Sequence, residues 1–140
     1  MRRLALTFAA LAMAAAAVPA TAEEKEKDVK KAATRYFEMR TYHAAPGKID
    51  ALNTRFKDHT NKLFKKHGMD IIGFWTDAKR PDVLIYILAY PSKEARDKSW
   101  DAFRKDPDWI KAKDASEKDG KLVDKVEETF LNPTDYSPIK

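Results

Sequence analysis

The strand-like stretch Arg35 to His43 (RYFEMRTYH) carries an acid and a base two residues apart. Strand alternation puts Tyr36, Glu38, Arg40 and Tyr42 on one side and Phe37, Met39 and Thr41 on the other. A guanidinium keeps its charge, so a covered Arg40 must be paired or meet an anion such as a carboxylate or enolate. Glu38 would then orient that anion or act as base. The alternative makes Glu38 and Arg40 an ion pair that fixes register. His59 follows Phe56 by three residues and precedes Leu63 by four, so helical spacing points it inward. There it serves as a general base or as a hydrogen-bonded core histidine. Trp75, Trp100 and Trp109 with Tyr86 and Tyr90 are enough aromatic surface to line a pocket, or to fill a small core. The candidate ligand-binding residues are Glu38, Arg40, Tyr42, His59, Trp75, Tyr86 and Tyr90. No catalytic residue is assigned.

Other chemistries find no support. The chain has no cysteine, hence no thiol nucleophile and no disulfide. His43, His59 and His67 lack metal-ligand spacing, so neither a metal nor a cofactor is expected. Gly47, Gly68, Gly73 and Gly120 never cluster into a phosphate loop, and no Gly-x-Ser-x-Gly elbow occurs. The net charge is +5, with 27 basic and 22 acidic residues and no segregated basic block. Nucleic-acid binding is not expected.

The elements that must position these residues follow a leading segment of different character. Residues 1–22 read as a signal peptide: a basic start at Arg2-Arg3, an alanine-rich apolar stretch, Pro19, and Ala20-Thr21-Ala22 before Glu23. Cleavage there implies a periplasmic or secreted protein with no integral membrane association afterwards. Residues 23–34 are nearly all charge and alanine, a flexible leader. One domain spans residues 35–138, within a chain of 140 residues.

Inside it, strand Arg35 to His43 is followed by the Pro46-Gly47 turn and a helix from Lys48 to His67, closed by Gly68. Met69 to Thr76 and Asp82 to Tyr90 read as strands, the latter apolar on both faces and therefore central. Ser92 caps a helix from Lys93 to Lys105 with Ala95, Ser99, Trp100 and Phe103 inward. Asp106-Pro107-Asp108 starts a short helix bearing Trp109 and Ile110 and running to about Gly120. Leu122 to Leu131 is the last strand. The order β-α-β-β-α-(α)-β implies an α+β ferredoxin-like sandwich with helices on one sheet face. Phe37 and Met39 suit the helix layer, leaving Tyr36, Glu38, Arg40 and Tyr42 on the open face. An apolar open face of that size implies a homodimer built through it.

These residues resemble the NIPSNAP family. The resemblance rests on Phe37-Glu38-Met39-Arg40-Thr41-Tyr42 with Pro46-Gly47, on His67-Gly68 and Gly73-Phe74-Trp75, and on Tyr90 and Arg96. It continues through Asp106-Pro107-Asp108-Trp109 and Phe130-Leu131-Asn132-Pro133 to Tyr136-Ser137-Pro138. It implies a dimeric α/β barrel, in a superfamily that also holds cofactor-independent monooxygenases and isomerases. Met39 replaces the usual leucine, and Asp77-Ala78-Lys79-Arg80 stands where the family favours a glycine. Two functions are compatible: a small-molecule-binding or interaction protein, or a cofactor-independent monooxygenase or isomerase acting on a small aromatic or carboxylate substrate.

Overall fold

The computed structural model describes residues 21–23 and 34–140. The expected signal peptide and charged leader lie almost wholly outside the described residues. Strand β1 (Tyr36–Ala44) leads into helix α1 (Ile49–Arg55), a π turn (Phe56–Thr60) and helix α2 (Asn61–Lys66). Strands β2 (Asp70–Thr76) and β3 (Val83–Tyr90) follow, then α3 (Lys93–Lys105), α4 (Pro107–Ser116) and β4 (Val123–Leu131). The sheet order is β2-β3-β1-β4, antiparallel throughout. This is the expected ferredoxin-like α+β sandwich. Element ends move by one or two residues, except that α4 stops at Ser116, short of Gly120.

Local chemistry sets the boundaries. Gly68 ends the first helical run with φ of 71°, a left-handed conformation that costs glycine nothing. The Ser92 hydroxyl accepts the Ala95 N–H at the start of α3. The Asp106 carboxylate accepts the Asp108 N–H at the start of α4, with Pro107 just inside.

Three sequence expectations are overturned. The first concerns which face of β1 is inner. Glu38 is 0% exposed and bonds to Arg96 and Trp100 of α3, and Tyr42 packs edge-on against Phe56 of the π turn. Tyr36, Glu38, Arg40 and Tyr42 therefore face the helices. Phe37, Met39 and Thr41 lie on the open face beside Ala89, Ile87 and Ile85 of β3. Side-chain hydropathy favours the opposite assignment. It fails because a carboxylate supplied with enough donors is satisfied inside, and only the helix side supplies them.

The second concerns His59, which is exposed, while its neighbour Thr60 is 1% exposed. The π turn is the reason. The Asn61 N–H reaches back five residues to the Phe56 carbonyl, and the Thr60 hydroxyl donates to the Arg55 carbonyl at 3.3 Å. This wider turn delays the helical phase, so the inward position passes from His59 to Thr60. The core then closes around Leu52, Phe56, Leu63, Phe64, Tyr86 and Leu88.

Trp75 is also placed differently from a pocket residue. It is 49% exposed on β2, with its indole across Gly73, where an added Cβ would come within 2.7 Å of the ring. Gly73 is small because Trp75 lies over it.

Candidate functional site

The inner face of β1 begins the site. Glu38 accepts five hydrogen bonds. Its Oε1 takes Arg40 Nη1 at 2.7 Å and Arg96 Nη2 at 2.7 Å. Its Oε2 takes Arg96 Nε at 3.0 Å, Tyr90 OH at 3.0 Å and Trp100 Nε1 at 2.8 Å. Burial alone would raise the Glu38 pKa, but the bonds from Arg96, Trp100 and Arg40 outweigh it and hold the carboxyl below its ordinary value. With both oxygens engaged and its charge favoured, Glu38 is an anchor and not a base. Arg40 also meets Glu128 of β4 at 2.7 Å, its register partner across the sheet. Its guanidinium lies 4.4 Å from the centre of the Trp100 ring. Its Nε is buried without a hydrogen-bond partner.

A second buried arginine faces the same space. Arg55, the last residue of α1, is 4% exposed. Its Nη1 donates to Glu117 at 2.9 Å and to Ser116 at 3.3 Å, both at the end of α4. Its guanidinium lies 5.3 Å from the Trp109 ring, and its Nε too is buried and unpartnered. Between the two arginines runs an aromatic wall. Trp100 packs against Phe103 at 5.4 Å, and Phe103 against Trp109 at 4.6 Å.

These residues line a cavity of about 450 Å³ between the sheet and the helices. Tyr42, Phe56, Thr60 and Phe64 complete its apolar side. Arg40, Arg55, Arg104 and Lys113 are its cations, and Asp114 and Glu128 its acids. The lining is thus cationic by two charges. An outer cleft of about 360 Å³ shares Tyr42, Arg55, Trp109 and Lys113 with it and adds Lys121 and Lys125. A preformed aromatic cavity of this size with excess positive charge suits a small anion. Outside this lining, Asp106 joins α3 to α4 and meets His67 Nε2 at 2.6 Å and Lys66 Nζ at 2.8 Å. Hydrogen bonds from Lys66 and His67 hold the Asp106 carboxyl well below the usual carboxylate range.

Of the candidate residues, Arg40 and Tyr42 line the cavity, and Glu38 and Tyr90 hold Arg96 and Trp100 behind it. Tyr86 is fully buried in the core, where desolvation and the nearby Tyr42 push its phenol pKa well up. His59 and Trp75 lie elsewhere. Sequence reasoning missed Arg55, Thr60, Arg104, Lys113 and Glu128. Arg55 stands three residues after Leu52 and next to Phe56, so a helical count finds it. Glu128 carries no local signal, because only the strand register puts it opposite Arg40.

The sequence profile of the NIPSNAP family matches residues 37–138. The chain belongs to the NIPSNAP family. Its fold is similar to that of a NIPSNAP family protein of unknown function from Agrobacterium tumefaciens, with 22% identity and a TM-score of 0.67 over 76% of this chain and 94% of that one. A NIPSNAP-like domain protein from Burkholderia xenovorans superposes with a TM-score of 0.66 at 18% identity, over 74% and 89% of the two chains. A protein from Nitrosomonas europaea named as a candidate antibiotic biosynthesis monooxygenase reaches a TM-score of 0.55 at 10% identity, over 76% and 94%. No functionally curated protein matches the chain. Among the described residues of this NIPSNAP protein, no helix is long and apolar enough to cross a membrane, and no cluster of His, Cys, Asp or Glu could hold a metal ion.

Proposed function

We propose that this NIPSNAP protein binds a small anionic molecule in the cavity between sheet and helices. One observation carries the reading: two arginines, 9% and 4% exposed, line one aromatic cavity, each with a buried Nε that no group among the described residues satisfies. An unpartnered buried donor is costly, and an incoming acceptor removes the cost. The second reading is cofactor-independent oxygenation or isomerisation in the same space, and a neighbour of similar fold is named for oxygenation. At 10% identity that neighbour supports the fold only. The bases that the sequence suggested are poorly placed for catalysis, Glu38 being saturated and His59 outside the cavity. Binding is the better reading.

The open sheet face supports a homodimer as the binding form. Met39, Ile85, Ile87 and Trp75 lie on it, and no helix among the described residues covers them. The basic start, apolar stretch and Ala20-Thr21-Ala22 support action outside the cytoplasm after cleavage.

A thermal-shift screen of small carboxylates and phenols, read together with tryptophan fluorescence, tests the reading, because Trp100 and Trp109 both line the cavity. Carboxylates that raise the melting temperature and quench the fluorescence support it. A panel with no effect on either signal overturns it.

A further inference from the structure

We propose that the ligand is two-ended: a flat aromatic acid whose carboxylate docks on Arg55 and whose far end offers a neutral oxygen acceptor to Arg40. The proposal rests on the cavity being a binding site. It comes from the way the two guanidiniums are placed along one aromatic wall. Arg40 lies on the Trp100 face, Trp100 on Phe103, Phe103 on Trp109, and Arg55 on the Trp109 face. All five line the same cavity. A flat ring packed against this wall is bracketed by a guanidinium at each end.

The two ends differ in charge, and the difference gives the ligand its direction. Around Arg40 the charges balance: Glu38 and Glu128 stand against Arg40 and Arg96. The Nε of Arg40, buried and without a partner among the described residues, is thus a donor on a guanidinium whose charge is already compensated, which suits a carbonyl or hydroxyl oxygen. Arg55 has Glu117 on Nη1 only, and Lys113 lines both the cavity and the outer cleft beside it. Lys121 and Lys125 also stand at that mouth but are paired with Asp124 and Glu127, so the excess there rests on Arg55 and Lys113 against Glu117 alone. A carboxylate fits there, where the planar guanidinium still presents its Nε.

The π turn is what makes the Arg55 end possible. The Thr60 hydroxyl ties down the Arg55 carbonyl at 3.3 Å, and the turn keeps Arg55, Phe56 and Thr60 all on the cavity side. Such turns occur mostly as single insertions in α-helices and often at functional sites.

Four probes of one shape separate the terms: para-acetylbenzoate, para-ethylbenzoate, terephthalate and acetophenone, titrated by calorimetry into the purified chain. Para-acetylbenzoate should bind about tenfold tighter than para-ethylbenzoate, the value of one hydrogen bond to a charged group. Terephthalate should fall below para-acetylbenzoate, because the Arg40 end has no charge to spare, and acetophenone should bind weakest. Arg55→Lys should weaken all three carboxylates by roughly tenfold and leave acetophenone unchanged. Equal affinity for the acetyl and ethyl compounds overturns the Arg40 end, and a neutral Arg55→Lys overturns the Arg55 end. Both comparisons stand without an Arg40 variant, which would also disturb the Glu38 network. If acetophenone binds as well as the acids, the two-ended proposal fails while the cavity remains a binding site. If none of the four binds, the two-ended proposal fails, and the wider carboxylate panel decides the cavity reading by itself.

Discussion

Arg40 and Arg55 are both buried, both stacked on a tryptophan and both on one cavity, yet their surroundings are opposites. Around Arg40 the charge is compensated, although its Nε, like that of Arg55, has no partner among the described residues. Glu38 gathers Arg40, Arg96, Tyr90 and Trp100 on its two oxygens, and Glu128 adds a second acid. Around Arg55 the structure is open on one side. Glu117 and Ser116 engage Nη1, and Glu117 sits near the surface with its side chain 21% exposed. A buried charge within a balanced network is a structural element whose loss is felt by the whole domain. A buried charge whose acid partner lies at the rim is, in the proposed function, the one that meets the ligand, so its loss should be felt by binding.

The contrast is sharpest at Glu38. Glu38→Gln keeps the shape but leaves two guanidiniums facing a neutral amide in the interior. It should cost about 3–5 kcal/mol, the typical penalty of breaking a buried ion pair from one side. Urea denaturation measures this, and a loss under about 1 kcal/mol would show that the network is not what holds β1 to α3.

Acid should expose the same network next. The Glu38 carboxyl titrates below its ordinary value in the folded protein, so it binds its proton less readily folded than unfolded. Its contribution to stability is present above about pH 4.3, the unfolded carboxylate value, and is lost as pH falls through the folded one. Asp106 acts in the same direction. Melting temperature measured from neutral pH down to strong acid should fall steeply below about pH 4. In Glu38→Gln that fall should be shallower, and an unchanged acid limb would assign it to other carboxylates.

At Arg55 the expected stability change is smaller. Arg55→Met leaves Glu117 in contact with water and retains the packing on Trp109. It should change stability by about 1 kcal/mol or less while abolishing carboxylate-dependent stabilisation. A cost equal to that of Glu38→Gln would erase the distinction between the two arginines. The smallest effect belongs to His59. His59→Ala should alter stability by less than about 0.5 kcal/mol and leave ligand binding unchanged. Any loss of binding would return His59 to the site.

The strands and most helix ends are legible in the sequence, because their causes lie within a few residues. Alternation marks the strands, and Ser92, Asp106 with Pro107, and Gly68 mark where helices start and stop. The order of elements then limits the sheet to few topologies, and the ferredoxin-like one formed. Residues 36, 38, 40 and 42 were correctly placed on one face together, since strand periodicity alone decides that.

Which face is inner was decided only by tertiary structure. The donors that make Glu38 comfortable inside arrive from Tyr90, Arg96 and Trp100, 52, 58 and 62 residues further along the chain. Apolar content had favoured Phe37 and Met39, but hydrogen-bond satisfaction outweighs hydropathy for a buried carboxylate. His59 failed for a related reason, since a single π turn shifts the helical phase while leaving the spacing of apolar residues nearly unchanged. Glu128 became part of the site only through strand register. The residue types that line the cavity were therefore set by the sequence, and their convergence there was set by contacts between segments far apart in it.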